Sequence, residues 1–197
     1  MAISIALRQT ESNLFCASKW WGDPDMQEDM EYPLDDGYPM TFLCQINCEY
    51  LAPLDPEGIL PHGGMLYFFA SADHLFGYET PYCYGRGEWP RQALRVKYAK
   101  DINFETFRSC VLEGEDGSAL SERPLEIVLG NCPDDDPGLR MLGELPEGFR
   151  ENHRDWVNLL QLSFGGEGGK TLNIAISPSD LRYGNWKKAV AFLKEND

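Results

Sequence analysis

One ordered pattern runs through this chain twice, and it constrains the fold more than any single residue does. Leu43-Cys44-Gln45-Ile46 is followed by Gly63, Leu66, Phe68, Ala70, Ser71 and Leu75, while Leu159-Leu160-Gln161-Leu162 is followed by Gly169, Leu172, Ile174, Ile176, Ser177 and Leu181. From the glutamine to the next core leucine is 21 residues in the first copy and 11 in the second, which places an insertion in the first connecting loop. Upstream of each copy the expected equivalent loops are Gly22-Asp23-Pro24-Asp25 and Gly130-Asn131-Cys132-Pro133-Asp134. Two sheet-forming units of this kind bury their aliphatic faces by packing on one another. The reading is a single domain over 1–197, with approximate repeats at 18–100 and 125–197.

The local patterns agree with a strand-rich chain. Ile3, Ile5 and Leu7 alternate with Ser4 and Arg8, as in a half-buried strand. Met40–Asn47 reads as a strand with a short helical turn near Glu49–Leu51, and Met65–Ala70, continuous in apolar side chains behind Gly63-Gly64, reads as a strand buried on both faces. Leu94, Val96 and Tyr98 predict another strand, Tyr78–Pro90 an irregular loop, and Leu112–Pro124 a polar connection. From Asn185 onward, Trp186, Ala189, Val190 and Leu193 fall at helical spacing, which predicts a short amphipathic C-terminal helix capped by Asn185. The expected fold is therefore mainly β, a β-rich α+β arrangement of internally duplicated antiparallel-sheet units packed into one roll-like domain.

Charge narrows the function classes. Seventeen Lys and Arg against thirty-two Asp and Glu leave a net charge of −15, a field that repels phosphate backbones and anionic headgroups. Neither nucleic acid nor membrane is an expected partner; a protein with a basic surface is. No apolar run approaches the ~18 residues of a membrane span, and the N-terminus lacks the pattern of a cleaved signal, so the chain is expected in the cytoplasm. Six cysteines include no CxxC pair and there are only three histidines, so neither a metal nor a cofactor is expected.

SKWWGDPDM, PMTFLCQINCEYL and LPHGGMLYFFAS, followed by VNLLQLSF and LNIAISPSDL, resemble the YwqG-like family, a bacterial domain family of unknown function. The resemblance extends over roughly Ser18–Leu193, with Tyr32-Pro33 standing where such proteins often carry Trp-Pro. It implies a β-rich, internally duplicated fold, and it transfers no catalytic residues.

Gly165–Thr171 tempts a phosphate-loop reading, but the spacing GxxxxGK[ST] would need glycine at position 164, which is Phe164. No Cys, His and acid combination stands out as a nucleophilic site, and Asp134–Asp136 lacks the alternating ligands of a calcium loop. No catalytic residue is nominated. Gln45 and Gln161, amides inside apolar strands, bond neighbouring backbone or form a paired ligand site. Trp20 and Trp21, with Tyr82, Tyr84 and Trp89, form a recognition surface on loops or cap the ends of the core. The leading functional expectation is a non-enzymatic acidic protein-binding module, regulatory or toxin-neutralising. Its alternative is a small-ligand-binding protein or enzyme with a pocket between the two repeats.

Overall fold

The computed structural model describes residues 1–113, 117–118, 120–164 and 169–195. Gly165–Gly168 of the glycine-rich loop and parts of the polar connection therefore lie outside the described residues. Strands β1 (Ala2–Arg8), β2 (Lys19–Trp20), β3 (Asp25–Gln27), β4 (Leu34–Asp35), β5 (Tyr38–Pro39), β6 (Thr41–Asn47), β7 (Met65–Ala70) and β8 (Gly87–Glu88) build the first part of the chain. They are followed by β9 (Leu94–Ala99), β10 (Phe107–Ser109), β11 (Leu125–Cys132), β12 (Arg140–Met141), β13 (Val157–Phe164), β14 (Lys170–Ile176) and β15 (Val190–Glu195). Two short helices, α1 (Glu147–Arg150) and α2 (Pro178–Arg182), punctuate the second part.

Eleven of these strands form one curled antiparallel sheet in the order β8-β15-β14-β13-β12-β1-β11-β2-β6-β7-β9, and β3–β10 and β4–β5 form two small ribbons. Around the central pair β1–β11 the arrangement is mirrored: β2, β6, β7 and β9 follow on one side, β12, β13, β14 and β15 on the other. The correspondence extends to single residues. Lys19 pairs with Gln45 as Arg140 pairs with Gln161, and a register shift passes over Leu43 on β6 and Leu159 on β13. The units are thus continuous edge to edge through the central pair, and the curl brings their inner faces into one core. Ile46, Leu66 and Phe68 meet Leu162, Leu172 and Ile174 there, with Ile3 and Ile5 of β1.

Alternate residues point outward and need separate cover. On the first half Phe42, Met65, Tyr67 and Phe69 pack under Met26, Met40 and Phe107, and on the second Ala175 and Val190 pack under Leu145 and Phe149. This second, outer burial explains why the central strands read as unbroken apolar runs.

Two expectations are corrected. The C-terminal amphipathic helix is a single 3-10 turn, Trp186–Lys188, followed by β15. The run Ala189–Leu193 is apolar because Ala191 and Leu193 face the inner core while Val190 and Phe192 face the outer cluster; its helical spacing is incidental. Asn185 donates to the Asp180 carboxylate and makes no side-chain cap. The second correction concerns the loops. Gly130–Cys132 lie inside β11, and the counterpart of Gly22 is Gly143: Trp21 and Gly22 take φ of 56° and 73°, Leu142 and Gly143 take 59° and 74°.

That left-handed glycine is required by sterics as well as backbone. A Cβ on Gly143 would stand 2.2 Å from Arg140 Nη1 and 2.6 Å from the Asp134 carbonyl. Gly58 has φ of +64° with nothing within 4 Å, so it carries the backbone cost alone. Urea unfolding should show Gly58→Ala costing about 1–2 kcal/mol and Gly143→Ala clearly more. Equal losses would remove the close-packing argument.

Candidate functional site

The local architecture around β2 is set by one buried carboxylate. Asp25 is fully buried, and its Oδ2 accepts from Lys19 Nζ at 2.7 Å, Gln45 Nε2 at 2.8 Å and the Cys16 amide at 2.8 Å. Ser109 Oγ donates to Oδ1, the Asp25 amide donates to Gln45 Oε1, and Tyr67 Oη donates to the Asp25 carbonyl. Gln45 completes its valence on the Ala17 carbonyl at 2.9 Å. In the second half Arg140 plays the part of Lys19: its Nη2 donates to Gln161 Oε1 at 2.9 Å, and its other N–H groups go to the carbonyls of Asp136, Leu142 and Glu144. Gln161 donates to the carbonyls of Asp136 and Gly138. Both glutamines are thus satisfied, tying their strands to the segments that lie beside them.

This crosslink holds the loop Trp21–Pro24 over one end of the first half, where a cavity of about 330 Å³ opens. Trp21 enters it braced by Trp20 and Phe76, with ring centroids at 5.7 and 5.3 Å. Tyr32 and Phe42 line it too, each packed on Phe69, and Tyr32 Oη donates to the Met40 carbonyl. The β4–β5 hairpin supplies Tyr38 through an Asp36-Gly37 turn whose two φ values, 47° and 86°, are both positive, as tight two-residue hairpins need. Asp23, Asp73, Glu79 and Glu122 are the acids of the lining, and the lining holds no Lys or Arg.

Every Lys and Arg of the chain falls among the described residues, yet none pairs with Asp23, Asp35, Asp36, Asp73, Glu79 or Glu122. Hydroxyl groups take four of these six carboxylates instead. Thr41 Oγ1 donates to Asp73 at 2.6 Å, Tyr84 Oη and Ser71 Oγ to buried Asp35 at 2.9 and 2.7 Å, Tyr82 Oη to Asp36 at 3.3 Å, and Tyr78 Oη to Glu122. The phenols register this environment. Burial, reinforced by the bond to Asp35, pushes Tyr84 up to about 12, and the bond to Glu122 leads the rise at Tyr78. Asp23 Oδ1 is buried and has no hydrogen-bond partner.

The aromatic residues singled out from sequence are divided by the fold. Trp20 and Trp89 are 5% and 4% exposed and belong to the inner core. Trp21 lines the cavity, and Tyr38 on the same cavity begins a row of rings through Tyr82 and Tyr84 to Trp89. Gln45 and Gln161 do not line it. The cysteines are free thiols; burial raises Cys16 to about 11 and Cys48 to about 12, and Cys44 further still. The three histidines face Asp55, the Tyr84 carbonyl and Glu88, and no described hydrogen bond joins one to a cysteine.

A second cavity, of about 360 Å³, lies at the matching place in the other half. Leu142, Gly143 and Glu144 stand where Trp21, Gly22 and Asp23 stand in the first, and Arg150 and Arg154 join its lining. Sequence reading missed the acidic cavity because its described carboxylates come from three separate segments, at Asp23, at Asp73 and Glu79, and at Glu122. Two signals were present: the match of Lys19-Trp20-Trp21-Gly22-Asp23 with Arg140-Met141-Leu142-Gly143-Glu144, and the hairpin dipeptide Asp36-Gly37.

Removing the cation from the buried hub leaves Asp25 charged and short of its strongest donor. Lys19→Met should lower the unfolding free energy by about 3–5 kcal/mol in chemical denaturation. A loss below about 1 kcal/mol would mean that the pair contributes little.

A family model described as "Domain of unknown function (DUF1963)" matches residues 18–138, a span that includes every residue lining the acidic cavity and ends before β12. No curated protein matches the chain.

Proposed function

The chain belongs to the DUF1963 family, a domain of unknown function, and from that premise we propose that it is a non-enzymatic acidic module that binds a protein partner carrying a basic surface. Its motifs resemble those of the YwqG-like proteins, and we read it as acting in the cytoplasm in a regulatory or toxin-neutralising role. The observation that carries this reading is the group of carboxylates around the aromatic-walled cavity, two of which, Asp73 and Glu122, are held by hydroxyls and none of which is paired with a Lys or Arg of the chain. A charge set of this kind is costly to concentrate and gains from a complementary surface, which it also steers in from solution. The net charge of −15 adds long-range attraction of the same sign.

Titration with cytochrome c as a small basic probe protein, followed by amide shifts of the full chain, tests the reading. Saturable binding at low salt should shift Trp21, Glu79 and Glu122, weaken steeply toward physiological salt, and fall by about tenfold or more in Glu79→Lys/Glu122→Lys. Absence of binding at low salt, or shifts confined to the face around α2, would overturn it.

A further inference from the structure

The acidic cavity has a shape and chemistry more specific than an anionic surface, and we infer that it is a receptor for one arginine side chain of the partner, the guanidinium lying against Trp21 and hydrogen-bonded by the carboxylates of Asp23 and Asp73. This rests on the preceding proposal and names the chemistry of the same site.

Four observations select a guanidinium. The first is the wall: Trp21 is held by Trp20 and Phe76 and has Tyr32 and Phe42 as neighbours in the lining, and a weakly hydrated planar cation stacks on such rings where a compact ammonium gains less. The second is the distribution of acceptors. Asp73 uses Oδ1 for Thr41 and Glu122 uses Oε1 for Tyr78, so each keeps its other oxygen without a described partner, and these free acceptors come from separate segments. Five N–H donors in a fixed fork fit acceptors spread around a site; a metal ion needs them converged, and the described His, Cys, Asp and Glu side chains form no such cluster.

The third is Asp23. A buried carboxylate oxygen with no donor is costly, and an entering N–H would satisfy it. Burial pushes the neighbouring Cys110 thiol up, with Asp23 adding to the rise, so that side chain lines the cavity as a neutral group and supplies no competing charge. The fourth is size: about 330 Å³ sits at the lower end of ligand cavities, room for one long side chain and not for a folded segment. The matching place in the second half does not share this character, because Arg150 and Arg154 line it.

N-acetyl-arginine amide, N-acetyl-lysine amide and N-acetyl-citrulline amide, titrated separately into the full chain, provide the test, with the indole N–H resonance of Trp21 as readout. The arginine probe should give saturable shifts, the lysine probe should bind several-fold more weakly, and the uncharged citrulline probe at least about tenfold more weakly. Asp23→Asn should weaken the arginine probe by about tenfold or more, and Glu79→Gln, at an exposed position, should weaken it while leaving the thermal unfolding curve in place. Equal binding of the lysine and arginine probes, or an arginine response unchanged in both variants, overturns the inference. If the arginine probe fails while cytochrome c still shifts Trp21, the arginine receptor is excluded and the docking reading stands; if both fail, both readings fall.

Discussion

The buried ion pair between Lys19 and Asp25, locked by Gln45, is the interaction on which the first half depends. Charges removed from water this completely are tolerated only when each remaining lone pair and proton is matched. Asp25 meets that condition with donors drawn from Cys16, Lys19, Gln45 and Ser109. The network therefore ties the segment before β2, the sheet itself and the covering ribbon into one unit. The loop Trp21–Pro24 leaves from one end of this knot and returns to it, which fixes where Trp21 and Asp23 stand. In the second half the same strand positions carry Arg140 and Gln161, but carbonyls replace the carboxylate. A guanidinium with five donors can be satisfied by backbone, whereas the compact ammonium of Lys19 takes a carboxylate partner.

Much of the architecture was legible because residues that face the inner core recur in the same order in the two halves. The strands Ile3–Arg8, Met40–Asn47, Met65–Ala70 and Ala93–Tyr98 appear close to where alternation and apolar runs place them. What misled was burial on two sides. Ala189–Leu193 lost its alternation because both faces of β15 are covered, and a five-residue apolar run fits a helix as readily as a strand. Gly130–Cys132 looked like a loop because of its composition; as the end of a central strand it pairs with Ala2–Ser4 of β1. The candidate site was less legible. Trp21 lines the cavity, Trp20 and Trp89 lie in the core, and the acids of the cavity come from positions as far apart as Asp23 and Glu122, a proximity that only the fold creates.

The mirrored strand order also frames the division of labour between the halves. Both halves keep a left-handed pair, at Trp21-Gly22 and Leu142-Gly143, and each has a recess beside it, lined by Phe42 of β6 in the first and by Asn158 of β13 in the second. The segment between β7 and β8, the hairpin β4–β5 and the connection after β10 line the recess of the first half only. They surround its recess with acids and rings, whereas α1 and the segment after it bring arginines to the other. One scaffold thus carries two surfaces of different charge, and the acidic one lies wholly within the part of the chain that defines its family.

Native-state hydrogen exchange at the amides of Cys16 and Asp25 probes the buried knot most directly, since these N–H groups donate to Asp25 Oδ2 and Gln45 Oε1 at 2.8 Å. If the knot holds the first half together, both should exchange only through global unfolding, with the same free energy as Phe68 in β7. Exchange through local openings at a much lower free energy than Phe68 would contradict the account.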